Sequence, residues 1–156
     1  MISSLVFVAV AYLIGSVSFA VVTSMAFGLP DPHDYGSGNP GATNVLRTGN
    51  KAAAALTLLG DGMKGWLAVV LAQQLGASCG VAAWTVPAVA LAVFLGHLFP
   101  VFHGFKGGKG VATAAGILLA MYWPLGLALA VVWAVMALGF KISSLAALTA
   151  SLLAPL

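Results

Sequence analysis

LVFVAVAYLIGSVSFAVVTSMAF, residues 5–27, holds no charged side chain and shows no alternation of apolar with polar positions. An unbroken apolar run of this length matches what an α-helix needs to cross the ~30 Å hydrocarbon core of a bilayer at ~1.5 Å per residue. Lipid offers the backbone no hydrogen bonds, so a spanning segment is a helix or a strand of a closed barrel, and a barrel strand would alternate. Comparable stretches follow at Ala52–Leu75, Val81–Phe102, Val111–Leu138 and Ile142–Pro155. Composition agrees: 62% of residues are hydrophobic and 6% charged, with mean hydropathy +1.09, whereas soluble domains carry about 25% charged residues. The sequence therefore reads as an all-α, polytopic integral membrane protein with at least five transmembrane helices.

Met1-Ile-Ser-Ser lacks the basic start of a secretory signal, and the apolar run behind it exceeds a signal core, so the first span is expected to stay in the mature chain. Arg47 and Lys51 lie in the first loop and Lys106 and Lys109 in the third, while Gly76–Gly80 between them is uncharged. By the positive-inside rule both basic loops face the cytoplasm and the N-terminus lies outside. Lys141 falls in a loop that this topology places outside, and Pro124 is expected to divide the fourth stretch. The net charge of +3 is spread over membrane-edge loops and forms no stripe or stacking platform, so no nucleic-acid partner is expected. Cys79 is the only cysteine and has no partner for a disulfide. Without repeats or linkers, residues 1–156 read as a single integral-membrane domain.

Against this background the polar residues gather in two glycine-rich blocks, Ser37-Gly-Asn-Pro-Gly-Ala-Thr-Asn-Val-Leu-Arg47 and Gly104-Phe-Lys-Gly-Gly-Lys-Gly-Val-Ala-Thr113. Gly36, Gly38 and Gly41 match G-x-G-x-x-G, but a membrane helix and Asp31-Pro-His-Asp precede them instead of a buried strand, which excludes a dinucleotide fold. The second block is not a nucleotide-triphosphatase loop either: His103 replaces its first glycine and Gly110 the Ser or Thr that would hold magnesium. What remains is anion chemistry. Glycines bring backbone N–H groups close to a ligand, Ser37, Asn39, Thr43 and Asn44 add neutral hydrogen-bonding groups, Arg47 offers a bidentate fork, and Lys106 and Lys109 alternate with Gly107, Gly108 and Gly110 before a helix start. A phosphorylated ligand is expected.

Together the two blocks, with Gly96-His97-Leu-Phe-Pro-Val-Phe-His103 leading into the second, resemble the first two motifs of the bacterial acyl-phosphate:glycerol-3-phosphate acyltransferase family, PlsY. Tyr12-Leu-Ile-Gly-Ser16 and Asp61-Gly-Met-Lys64-Gly65 are similar to that family as well, while Ser18 and Ala20 replace its usual proline and glycine. The resemblance implies seven transmembrane helices in a full-length member and a third motif with His, Asn and Glu that residues 1–156 do not contain. It implies acyl transfer from acyl phosphate to the sn-1 hydroxyl of glycerol 3-phosphate, giving lysophosphatidate and phosphate at the cytoplasmic face of the bacterial inner membrane. Functional coupling to the enzyme that makes acyl phosphate follows, and no cofactor is implied. By similarity Arg47 and Lys106 hold the glycerol substrate's phosphate, Gly107 to Gly110 with Lys109 line a second phosphate pocket, and Ser37 sits at the reacting centre among Asn39, Thr43, Asn44 and His97.

An acyl phosphate already carries a good leaving group, so positioning and electrostatics can supply most of the acceleration, a substrate phosphate oxygen taking the hydroxyl proton. Direct transfer without an acyl-enzyme is expected, although His97 or His103 could pair with Ser37. Three Asp, three His and one Cys without ligand spacing predict no metal. Asp61 and Lys64, at i and i+3 within a span, can pair on one helix face, either serving the site or ordering their helix beside it. The rival class is a carrier for a phosphorylated solute, which would need access from both sides of the membrane.

Overall fold

A computed structural model describes residues 1–140 and 142–154. Lys141 and Pro155, on which the outer-loop placement and the end of the last expected span rested, lie outside the described residues. Among the described residues all regular structure is helical: α1 (Ile2–Ser16), α2 (Phe19–Ala26), the short α3 (Ala42–Leu46), α4 (Lys51–Gly76), α5 (Thr85–Leu98), α6 (Val111–Met121), α7 (Trp123–Phe140) and α8 (Ser143–Leu153), with a single 3-10 turn at Val101–His103 after α5.

The first apolar run is a broken helix. α1 and α2 meet at 43° across Val17, whose backbone is extended (φ −71°, ψ 116°). Ser18 caps α2 by accepting the Val21 N–H at 3.4 Å, and the Lys64 ammonium donates to the Val17 carbonyl at 2.6 Å. A cation thus sits at the negative end of α1 and satisfies a carbonyl that the break strands. The fourth stretch divides as Pro124 suggests, with Tyr122 between α6 and α7 and Pro124 in the first turn of α7, where a missing N–H costs nothing.

α4, α5 with its 3-10 turn, and α7 are long and apolar enough to cross a membrane, and the bent α1–α2 pair makes a fourth candidate. α6 and α8, each 11 residues, reach only ~16 Å at ~1.5 Å per residue. Among the described residues helix length therefore gives three or four spans where the apolar runs suggested at least five: the first run is broken at Val17, and the last yields only the 11-residue α8.

α4 lies at the centre, touching α1, α2, α3, α5 and α6, with α7 and α8 stacked outward from α6. Ala11, Ala68, Val69, Ala72, Val89, Ala92, Val93 and Ile117 form the main core, and Ala20, Val45, Ala53 and Ala54 a second one around α3. Small residues dominate because in lipid helices associate through close backbone approach. A Cβ at Gly96 would strike the Tyr12 carbonyl of α1, and one at Gly116 the Gly62 carbonyl of α4. Polar groups tie the same contacts: Thr23 and Thr57 hydroxyls meet at 2.6 Å, Thr113 donates to the Asp61 carbonyl at 3.0 Å, and Tyr12 donates to the Phe99 carbonyl at 2.7 Å. Leu5, Val6 and Leu13 of α1, Leu59 of α4, Leu91 of α5 and Val131, Val135 and Leu138 of α7 point outward, an apolar exterior suited to lipid.

Candidate active site

The first block is a loop wound around one side chain. Asn44, 2% exposed, accepts the Ser37 N–H at 3.1 Å and donates to the carbonyls of Pro32 at 2.8 Å and Tyr35 at 3.1 Å. Asn44, expected among the substrate-binding groups, thus braces the loop from within. Gly36 and Gly38 take left-handed backbone (φ 60° and 65°), and a Cβ on Gly36 would meet the Asn44 amide oxygen and, at 3.0 Å, the Arg47 Cδ. Glycine there lets the Arg47 stem lie against the loop while Ser37, Thr43 and Arg47 stay exposed and Asn39 is half-buried.

The second block doubles back over the end of α5. Gly104 and Phe105 both have positive φ (58° and 62°); for a phenylalanine this is a strained conformation, and it turns the chain immediately before Lys106. The Gly108 N–H donates to the His97 carbonyl at 3.1 Å, so it is not one of the free anion donors expected of it. A Cβ on Gly107 would strike the His97 and Leu98 carbonyls, and one on Gly110, which caps α6 at φ 78°, would strike the Phe94 ring. These glycines permit close packing first. The first-turn N–H groups of α6 still face outward from its N-terminus, beside exposed Lys106 and Lys109.

The blocks meet. A Cβ on Gly108 would lie 3.1 Å from the Pro40 carbonyl of the first block and would strike His97 Nε2. Close by, the His33 ring contacts the Lys106 carbonyl through Nε2 at 3.0 Å and the Asp31 carboxylate through Nδ1 at 2.6 Å. The His33 backbone N–H also donates to Asp31 at 2.9 Å, and this bond, with the imidazole beside it, holds the Asp31 carboxyl below the usual carboxylate range despite partial burial. Sequence reading missed His33; the only local signal was the Asp31-Pro-His33 turn.

Beneath the loops runs a buried polar line. Lys64 Nζ lies 2.8 Å from Asp61 Oδ1, and His97 Nδ1 faces the same oxygen at 3.5 Å. The expected Asp61–Lys64 pairing is present, with Lys64 reaching on to the α1–α2 break and Asp61 to the histidine that seats Gly108. No hydrogen bond joins His97 or His103 to Ser37 among the described residues: His97 turns to Asp61 and Gly108, and the His103 ring lies 6.0 Å from that of His33.

A helical membrane chain whose two glycine-rich basic loops are pressed together has clear relatives. The model of the family described as glycerol-3-phosphate acyltransferase matches residues 5–156. The chain belongs to that family. It is 65% identical over 153 residues to the glycerol-3-phosphate acyltransferase of Cupriavidus pinatubonensis, covering 98% of this chain and 76% of that protein. The corresponding protein of Neisseria meningitidis serogroup C is 62% identical, over 96% of this chain and 74% of its own length. A crystal structure of PlsY (YgiH), an integral membrane glycerol 3-phosphate acyltransferase, in its glycerol 3-phosphate form is 41% identical with a TM-score of 0.86, covering 97% of this chain and 74% of that one. The lysophosphatidic acid form of PlsY matches with a TM-score of 0.85 and 40% identity over the same shares. As a member of this acyltransferase family the chain is an integral membrane protein of phospholipid biosynthesis.

Proposed function

We propose that this chain transfers the acyl group of an acyl phosphate to the sn-1 hydroxyl of glycerol 3-phosphate, at a cytoplasmic-facing site of the bacterial inner membrane. The observation that carries the reading is the junction at Gly108, where the Pro40 carbonyl of the first block and His97 close on the second. Two phosphorylated substrates need two neighbouring anion sites beside lipid, and the paired blocks supply cations and N–H groups there. Arg47 and Lys106 hold the phosphate of glycerol 3-phosphate; Lys109, the free N–H groups of the glycine loop and the α6 N-terminus take the phosphate of the donor. Ser37, with Asn39 and Thr43, lines the space between.

The sn-1 oxygen attacks the acyl carbonyl carbon, the bond from that carbon to the phosphate oxygen breaks, and a phosphate oxygen receives the hydroxyl proton. Neither imidazole hydrogen-bonds Ser37, which favours direct transfer over an acyl-enzyme. Lysophosphatidate and phosphate leave. Such a donor is reactive and lipid-tailed, which favours functional coupling to the enzyme that produces it. Membranes containing the chain, given radiolabelled glycerol 3-phosphate and acyl phosphate, should form lysophosphatidate, and Arg47→Ala should slow its formation at least about tenfold. Uptake of label into sealed vesicles without acylation would instead support a carrier.

A further inference from the structure

We propose that His33 and Asp31 form a protonation-dependent clasp that positions Lys106, so that binding of the glycerol substrate's phosphate depends on an imidazolium outside the two blocks. Both ring nitrogens of His33 face oxygens: Asp31 Oδ1 at 2.6 Å and the Lys106 carbonyl at 3.0 Å. A backbone carbonyl and an ionised carboxylate only accept, so both contacts are hydrogen bonds only when both ring nitrogens carry hydrogen. In the neutral ring the carboxylate, the stronger acceptor, keeps the single hydrogen on Nδ1, so Nε2 turns a lone pair toward the Lys106 carbonyl and that contact becomes repulsive. The Asp31 carboxylate is fixed by the His33 backbone N–H at 2.9 Å, which orients it toward the ring.

The clasp acts on the residue that most needs fixing. Lys106 follows the left-handed pair Gly104 and Phe105 and is itself exposed. Its N–H donates to the His103 carbonyl at 3.2 Å, and its carbonyl is held by His33 from the other loop. The charged and titratable groups around the imidazole are Asp31 and neighbouring Asp34 on its own loop, His103 on the 3-10 turn with its ring 6.0 Å away, and Lys106 beyond it. Asp31 favours the imidazolium, while His103 and Lys106 oppose it when charged. His33 thus acts as a positioning residue, through the Lys106 backbone. The inference rests on the reading that Lys106 binds the phosphate of glycerol 3-phosphate.

Gln places a donor where Nε2 stands at every pH, and Asn places one where Nδ1 stands, so the two variants separate the contacts. With acyl phosphate saturating, KM for glycerol 3-phosphate in H33Q should match wild type at about pH 6. Across the range in which histidine titrates, about pH 5 to 8, wild type should then rise roughly five- to tenfold above H33Q, the loss expected when one ordinary hydrogen bond is given up. H33N should already show the raised KM at about pH 6, with kcat little changed. A wild-type to H33Q ratio that stays flat with pH, or equal KM in H33N and H33Q, would overturn the clasp. Nitrogen-15 histidine spectra of the wild-type chain in nanodiscs give a reading independent of activity: both His33 nitrogens protonated at about pH 6, one deprotonating as pH rises. A neutral ring at that pH contradicts the clasp, whereas an imidazolium in a chain that forms no lysophosphatidate would count against the functional reading alone.

Discussion

Replacing Asp61 by Asn should destabilise the chain far more than replacing Asp61 and Lys64 together. The two side chains are 4% and 3% exposed and 2.8 Å apart. Asp61→Asn leaves a buried ammonium without its counter-charge, a change that costs about 3–5 kcal/mol in buried pairs. Asp61→Asn with Lys64→Met removes the orphan charge; what remains is the Val17 carbonyl, which loses its 2.6 Å donor at a cost of about 1–3 kcal/mol. The double variant should therefore regain roughly 2 kcal/mol. At about 2–4 °C per kcal/mol for a chain of this size, the single variant should lose on the order of 10 °C in midpoint and the double about half that. Thermal denaturation of purified protein in one detergent, followed by intrinsic Trp fluorescence, measures both. Equal losses in the two variants would refute the idea that the pair is a buried, mutually compensating unit.

Three further outcomes follow from the geometry. Gly116→Leu should prevent α6 from seating on the Gly62 carbonyl of α4 and cost about 1–3 kcal/mol or more, seen as a lowered midpoint, while Gly139→Leu, with open space around it, should be neutral. Asn44→Ala frees two carbonyls and the Ser37 N–H at once; acyl transfer should fall at least about fivefold, as expected for about 1–3 kcal/mol of buried polar groups left unpaired, with faster proteolysis of the 32–44 loop as the structural check. Asp31 has a folded pKa below its unfolded value of ~3.9, so its contribution is present above that value and is lost as pH falls through the folded one. Wild type should be more stable than Asp31→Asn near neutral pH, and the difference should shrink as pH falls below about 3.9 and disappear once it has passed the lower folded value.

Much of the fold was legible because lipid leaves few options: an apolar run of spanning length is a helix, and a proline such as Pro124 marks a division. The Val17 break was not, since nothing beside it in sequence signals a carbonyl satisfied by Lys64, 47 positions away. The two polar blocks of the candidate site stood out in the sequence too, but each residue's task did not. Asn44 and Gly108 look like ligand groups in a polar, glycine-rich string, yet one braces its own loop and the other seats the loop on His97. Periodicity reports neighbours within a helix, as it did for Asp61 and Lys64; it says nothing of loops meeting across the fold, as His33 and Lys106 do.

The central claim is that the two blocks form one phosphate site, and a double-mutant cycle on kcat/KM for glycerol 3-phosphate tests it most directly. Arg47→Ala and Lys106→Ala should each lower kcat/KM by at least tenfold, the loss expected for about 1.5–3 kcal/mol per charge-assisted contact. If both cations hold one phosphate, the double variant should lose clearly less than the product of the two single losses, since neighbouring groups sharing a partner are not additive. Losses that multiply, or a single variant with wild-type kcat/KM, would contradict a shared site.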